Sequence, residues 1–273
     1  MKKKISLIAI IIVLLIVAYF WILPLFGNNS KLNKPESVAW DAANNRFMIS
    51  SMGNGSIIAM DEDGNFSPFM NRQFEAPKGI ITLGDILYVT DPTSIHEVSL
   101  GEAKILNSHP IPEAVGLNDI AIGENGKLYI TDMAGNAIHL FDPATKSHEK
   151  LQSPLLNAPN GIVYDRPRRQ MFVVNNSEHS PILSLNVVDN GISIFMDTVY
   201  SNLDGIAIDD LGRIFFSSWA EEAIIQIPQE QNRFITDLKG YDGAADIFYH
   251  LPTNELIVPM LRSNMIKRIS LNK

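Results

Sequence analysis

One pattern recurs six times along this chain, and its period constrains the fold more than any other feature. Each copy opens with a variable residue, then Ser, Gly or Asp, then Val or Ile: Glu36-Ser37-Val38, Lys78-Gly79-Ile80, Asn118-Asp119-Ile120, Asn160-Gly161-Ile162, Asp204-Gly205-Ile206 and Ala245-Asp246-Ile247. The first positions lie 42, 40, 42, 44 and 41 residues apart. A polar turn follows, such as Asp209-Asp210-Leu211-Gly212, and then a β-rich run at 46–51, 85–91, 127–132, 170–176, 213–218 and 255–260. In a third column Ile57, Ile95, Ile138, Ile182, Ile224 and Ile266 each open a further strand. Short runs rich in Ile, Val, Phe and Tyr between Gly, Asn and Asp turns are strands, and no capped helix appears after residue 35. Three or four strands in a period of about 40–45 residues make a propeller blade. The reading is therefore all-β, one six-bladed β-propeller over 35–273. The segment between copies, such as Phe234 to Leu238, supplies the outermost strand, and ring closure is expected near Lys31 to Pro35.

Ahead of the repeats, Lys2, Lys3 and Lys4 precede an apolar run from Ile5 to Phe26 that only Ser6 and Pro24 interrupt. A helix of that length spans about 33 Å, enough for a hydrocarbon core of about 30 Å. The lysines put the N-terminus in the cytoplasm, and Tyr19, Phe20 and Trp21 suit the far interface. The run is longer than a signal-peptide core, and no pair of small residues follows it to mark a cleavage site. Residues 1–27 are thus predicted to be a cytoplasmic Lys cluster and one N-terminal transmembrane helix, an uncleaved signal anchor. Residues 28–34 form a linker, and the propeller is extracytoplasmic. Cleavage and secretion is the lesser alternative. The absence of Cys rules out a lipidated cysteine, leaving the apolar run itself as the membrane attachment. The formal charge of -8, with no basic and aromatic run after residue 4, argues against a nucleic-acid partner.

Propeller geometry turns register into location. The first strand of each blade lines the central channel, so the six first positions ring one mouth, and the loops between second and third strands open on the same face. The ring reads Glu36, Lys78, Asn118, Asn160, Asp204 and Ala245. One Asn or Asp there would be ordinary turn chemistry. Four oxygen-bearing side chains in the same register of different blades point to a hard divalent cation, Ca²⁺ first and Mg²⁺ or Mn²⁺ next, and the lack of His or Cys argues against a dedicated zinc cage. Lys78 either binds an anionic substrate or neutralises Glu36. Trp219 and Arg262, from the mouth loops, are candidate pocket walls, Trp219 alternatively packing on the next blade. His179 reads as a surface-loop residue, His96 and His139 as packing or solvent-facing, and His250 as structural. No Gly-x-Ser-x-Gly, phosphate loop or His-Glu-x-x-His is present.

These residues carry a resemblance to the senescence-marker-protein/gluconolactonase-like family of six-bladed propellers, over essentially all of 35–273. Glu36, four residues before Trp40-Asp41, is similar to that family's Glu-Gly-Pro-x-Trp segment, with Ser37-Val38 in place of Gly-Pro. Asn118-Asp119 ahead of Gly126-Lys127-Leu128 resembles its Asn-Asp segment, Asn160-Gly161 its Asn-Gly motif, and Asp204-Gly205-Ile206-Ala207-Ile208-Asp209 its Asp-Gly motif. The resemblance implies that Glu36, Asn160 and Asp204 hold one divalent ion, Zn²⁺ included among the possibilities, with Asn118 as substrate contact or fourth ligand. It further implies hydrolysis of a lactone or related ester, with Asp204 or another carboxylate helping to activate water. Lys78, Asn118 and Trp219 are the expected substrate-binding residues. Gly116 stands where the family has a substrate-binding Arg, so recognition of a sugar-acid lactone through that Arg is not implied. The competing reading is a non-catalytic propeller whose mouth face binds a ligand or protein, because fold alone does not specify function.

Overall fold

Residues 32–271, which a computed structural model of the protein describes, form six antiparallel sheets arranged as blades. The innermost strands are Pro35–Asp41, Ile80–Leu83, Leu117–Ile122, Pro159–Asp165, Leu203–Ile208 and Phe248–His250. Blades 1 to 5 have four strands in chain order from the channel outwards; blade 6 has three, ending with Met265–Ser270. The outermost strand of blade 5 is Ile235–Lys239, within one residue of the expected segment.

Each blade buries both faces against its neighbours, which is why the second strands read as continuous apolar runs. Phe47, Leu87, Ile130, Phe172, Phe215 and Ile257, one from each second strand, are fully buried. The core lies between blades: Ala121, Tyr129 and Ile138 of blade 3 pack with Ile162, Met171 and Val173 of blade 4. Blade 6 meets blade 1 through Asp246 N–H donating to the Glu36 carbonyl (3.1 Å) and Ser37 Oγ donating to Asp246 Oδ2 (2.7 Å). Among the described residues, 32–34 add no strand to blade 6; Lys34 N–H instead donates to Asn264 Oδ1 (2.7 Å).

The ring positions occupy a backbone irregularity that alternation alone does not foresee. In blades 1, 3, 4 and 5 the register between first and second strands slips between Pro35 and Val38, Leu117 and Ile120, Pro159 and Ile162, and Leu203 and Ile206. Two residues on the inner strand there face one on its partner, a β-bulge of the kind that re-aims side chains beside functional sites. Glu36, Asn118, Asn160 and Asp204 all lie in these bulges. Hydroxyls of the second strands hold the bulged carbonyls in place: Thr90 Oγ1 donates to the Asn118 carbonyl (2.5 Å) and Thr131 Oγ1 to that of Asn160 (2.6 Å).

The column after the ring is crowded. A Cβ on Gly161 would lie 2.4 Å from the Asp204 carbonyl oxygen, and one on Gly205 2.4 Å from the Ile247 nitrogen. Neighbouring backbone, not a flexible side chain, blocks both. Gly161→Ala is therefore expected to lower stability by about 1–3 kcal/mol, read as a drop in melting temperature. An unchanged melting temperature would contradict this close approach.

His139 is a packing residue, fully buried between Asp132 Oδ2 (3.1 Å) and His148 Nε2 (2.8 Å). His250 is buried against Trp40 and Phe47. The predicted transmembrane helix and most of the linker fall on residues 1–31, outside the described residues. Among the described residues no helix is long and apolar enough to cross a membrane.

Candidate functional site

The bulges aim four oxygen-bearing side chains at one end of the channel. Glu36, Lys78, Asn118, Asn160 and Asp204 line a cavity of about 460 Å³, and the loops between second and third strands supply its upper wall. Glu36, Asn118, Asn160 and Asp204 are only 3–6% exposed, whereas Lys78 is half-buried. Every ring position that the sequence predicts as a ligand thus reaches the same cavity, and Ala245 is the one ring residue absent from its lining.

The polar bookkeeping of the cavity is incomplete in a specific way. Glu36 Oε2, Asn118 Oδ1 and Asp204 Oδ1 are buried oxygens with no hydrogen-bond partner among the described residues. A buried acceptor left unpaired costs on the order of 1–3 kcal/mol, so three in one cavity call for a shared partner. The amide nitrogens already have acceptors: Asn118 Nδ2 contacts Met133 Sδ (3.4 Å), and Asn160 Nδ2 donates to the Leu203 carbonyl (3.4 Å) and also bonds the Asp204 carboxylate.

Charge sharpens the same point. Burial is the largest cause holding the Glu36 carboxyl well above its usual range; the charges of Asp204 and Asp246 add to it, and Lys78 opposes. Burial, then Asp246, pushes Asp204 up to about 7 against the pull of Lys78 and a hydrogen bond from Asn160. One residue below the ring, burial also raises Asp246 to about 7 and holds Asp119 well above normal. A divalent cation would relieve this crowding and satisfy the unpaired oxygens, so the residues present fit a hard, oxygen-preferring ion. The donor set is two carboxylates and two amides; among the described residues no group of three or more His, Cys, Asp or Glu side chains is disposed to hold a metal.

Trp219 reconciles its two sequence readings. Its Nε1–H donates to the Ala244 carbonyl of blade 6 (2.8 Å) while the ring lines the cavity, and the Arg262 guanidinium lies 4.9 Å above it, ion-paired to Asp242. His179 is not part of the lining; it is exposed, with Nδ1 3.0 Å from the Val199 carbonyl. A Cβ on Gly116 would lie 2.9 Å from that of Ala134, so a larger residue there would have to displace its neighbour.

Residues that the repeat did not single out also shape the cavity. Asn176 and Asn202 line it, joined by a bond from Asn202 Nδ2 to Asn176 Oδ1 (3.4 Å). Asn202 stands two places before Asp204, the column that Gly116 occupies in blade 3, so moving the ring register outward by two would have found it. Asp119 and Asp246 were visible in the second column of the repeat, but their effect on the ring depends on burial.

A family model described as the SMP-30/Gluconolactonase/LRE-like region matches residues 34–239, that is, blades 1 to 5 and all four candidate ligands. No curated protein matches the sequence. Among solved structures, a gluconolactonase from Xanthomonas campestris superposes with a TM-score of 0.75 at 13% identity, covering 89% of this chain and 88% of that one. Virginiamycin B lyase from Staphylococcus aureus gives 0.66 at 14% identity, with 90% and 86% covered. A chain of the nidogen/laminin complex gives 0.66 at 15% identity, with 83% and 93% covered. Such low identities establish the shared propeller fold, which these proteins put to different uses.

Proposed function

Because this chain belongs to the SMP-30/gluconolactonase/LRE-like family, we propose that it is a divalent-cation-dependent hydrolase that opens a lactone or a related ester at the mouth of its channel. The observation that carries the reading is the set of three buried, unpartnered oxygens on Glu36, Asn118 and Asp204. With Asn160 they would hold one cation, Ca²⁺ preferred over Mg²⁺, Mn²⁺ or Zn²⁺. When bound, the cation supplies Lewis-acid polarisation of the substrate carbonyl and charge stabilisation for its oxyanion.

The remaining work falls to side chains of this protein. Asp204 accepts the proton of the attacking water as its oxygen adds to the carbonyl carbon. The proton then passes to the departing alkoxide as the ring C–O bond breaks, giving a hydroxy acid from a lactone. Lys78 sets a positive charge beside the carboxylate that forms, and Asn118 offers its amide to the substrate. Trp219, held by its Nε1–H at one edge and by the Arg262 guanidinium over its face, is a rigid wall that limits water. The same reading keeps residues 1–27 as the anchor and cytoplasmic tail of a single-pass protein with its propeller outside.

Metal analysis of the purified full-length chain, followed by a panel of lactones and aryl esters with and without chelator, tests this. About one Ca²⁺ per chain and turnover that chelation abolishes and Ca²⁺ restores are expected. Binding without metal-dependent turnover would favour a ligand- or protein-binding propeller; no binding of any of the four ions would refute the hydrolase.

A further inference from the structure

The innermost strand of blade 1 begins at the mouth, so the chain preceding it reaches the propeller on the face that holds the cavity. Leu32 packs with Val38, Phe47 and Ile257. Asn33 N–H donates to Ser51 Oγ (2.9 Å), its carbonyl accepts from Gly53 N–H (2.8 Å), and the Lys34 carbonyl accepts from Met52 N–H (3.1 Å). Met52 itself lines the cavity. The described chain is therefore fastened to the rim at its very start.

Only Asn28, Asn29, Ser30 and Lys31 separate Leu32 from Gly27, where the apolar run has just ended. At no more than about 3.6 Å per residue, this stretch reaches roughly 18 Å even when fully extended. The opposite face lies a further strand length away, about 20 Å for six residues. The rim also carries apolar side chains open to solvent: Val115 at 60%, Val199 at 72% and Met265 at 45% exposure. Inside them stand the cavity walls Met133, Trp219 and Leu261.

We propose that the mouth is held against the surface of the membrane that carries the anchor, and that the site takes an amphiphilic lactone or ester whose apolar chain rises out of the bilayer. The orientation rests on residues 5–26 spanning the membrane, and the substrate class on the hydrolase reading above. A short tether selects which face meets the lipid, and the apolar rim and walls give the substrate's chain a continuous path to the ring. Exposed acids on the same rim, Glu75, Glu113, Glu178, Glu221 and Glu222, are only partly offset by exposed Lys34, Arg72, Lys239 and Arg262, which favours an uncharged lipid surface over an anionic one.

The absence of Cys makes the orientation directly measurable. The full chain, as Val115→Cys, Val199→Cys, Leu211→Cys or Leu251→Cys, is labelled with a fluorophore and reconstituted in phosphatidylcholine vesicles containing headgroup spin-labelled phosphatidylcholine. Fluorophores at 115 and 199 are expected to be quenched several-fold more strongly than those at 211 and 251, which sit in turns of the far face. Equal or reversed quenching, or a chain released from the vesicles by alkaline wash, overturns the proposal. In a second arm, a Gly/Ser insertion of about 20 residues between Asn28 and Asn29 loosens the tether by about 25 Å. It should lower turnover of a vesicle-borne long-chain lactone about ten-fold and leave a soluble short-chain lactone unaffected. Equal effects on the two lactones overturn the substrate class. If neither lactone is hydrolysed, the hydrolase reading and the substrate class fall together, and the quenching still decides the orientation.

Discussion

Asp204→Ala is expected to abolish divalent-cation binding and to lower lactone turnover by more than about 10³-fold, the combined size of losing an electrostatic stabiliser and a proton acceptor under the proposed function. The two losses coincide because one carboxylate serves both ends. Its Oδ1 is one of the buried unpartnered oxygens, and burial beside Asp246 leaves it a ready proton acceptor. Asp204→Asn separates the roles: it keeps the volume and one oxygen donor but not the negative charge, so cation affinity should fall less than turnover. Calorimetric Ca²⁺ titration and steady-state kinetics read the two effects independently. Both variants should fold, because replacing Asp204 removes a buried repulsion; a melting temperature of the chelated protein no lower than the parent's and retained β-sheet circular dichroism are the controls. Ca²⁺ affinity of the alanine variant within three-fold of the parent would sink the ligand assignment.

The second large effect is on stability. Asp204 and Asp246 titrate near 7 in the folded chain against an ordinary value of 3.8, and Glu36 and Asp119 shift in the same direction, all chiefly through burial. A group whose folded pKa is raised contributes stability that is complete below its unfolded pKa and is lost as pH climbs through the folded one. Asp132, lowered to about 2 by contacts that include His139, works in the opposite sense, but only at pH below about 4. The chelated protein is therefore expected to be most stable near pH 4–5. Its melting temperature should fall steadily toward pH 8, by several kcal/mol in free energy at about 1.4 kcal/mol per pKa unit. Under the proposed function Ca²⁺ would compete with protons for the same oxygens, so its stabilising effect should grow with pH, reaching about 2.7 kcal/mol at a concentration of 100 Kd. Thermal scans at pH 5, 6.5 and 8, with Ca²⁺ or with chelator, measure both trends. A chelated protein whose melting temperature is flat or rises over that interval would show that the buried carboxylates are relieved by something other than a cation.

Much of this site could be read before any coordinates. Glu36, Asn118, Asn160 and Asp204 stand in one column of a six-fold repeat, and a propeller brings a column to one ring wherever its members lie in the chain. Trp219 was legible in the same way, as part of a mouth loop, although its bond to the Ala244 carbonyl was not. Asn176 and Asn202 escaped because they lie outside the ring column, Asn202 two places before it and Asn176 just past a second strand. His139 looked no different from His96, yet it is fully buried between Asp132 and His148, because His148, opposite Phe141 on the neighbouring strand, reaches it diagonally across the pair.

What the sequence determined by itself is the periodic part: the number of blades, the strand runs and the identity of the ring residues. Those properties are local or repeated, and strand alternation with turn chemistry encodes them residue by residue. The tertiary structure alone decided that the ring residues lie in β-bulges, that blade 6 closes on blade 1 with three strands, and that particular oxygens of Glu36, Asn118 and Asp204 are buried without partners. It also decided that four buried carboxylates, on blades 1, 3, 5 and 6, stand close enough to raise one another's pKa. Burial and Coulomb repulsion are sums over neighbours brought together by closing the ring, and those neighbours stand some 40 to 200 residues apart along the chain.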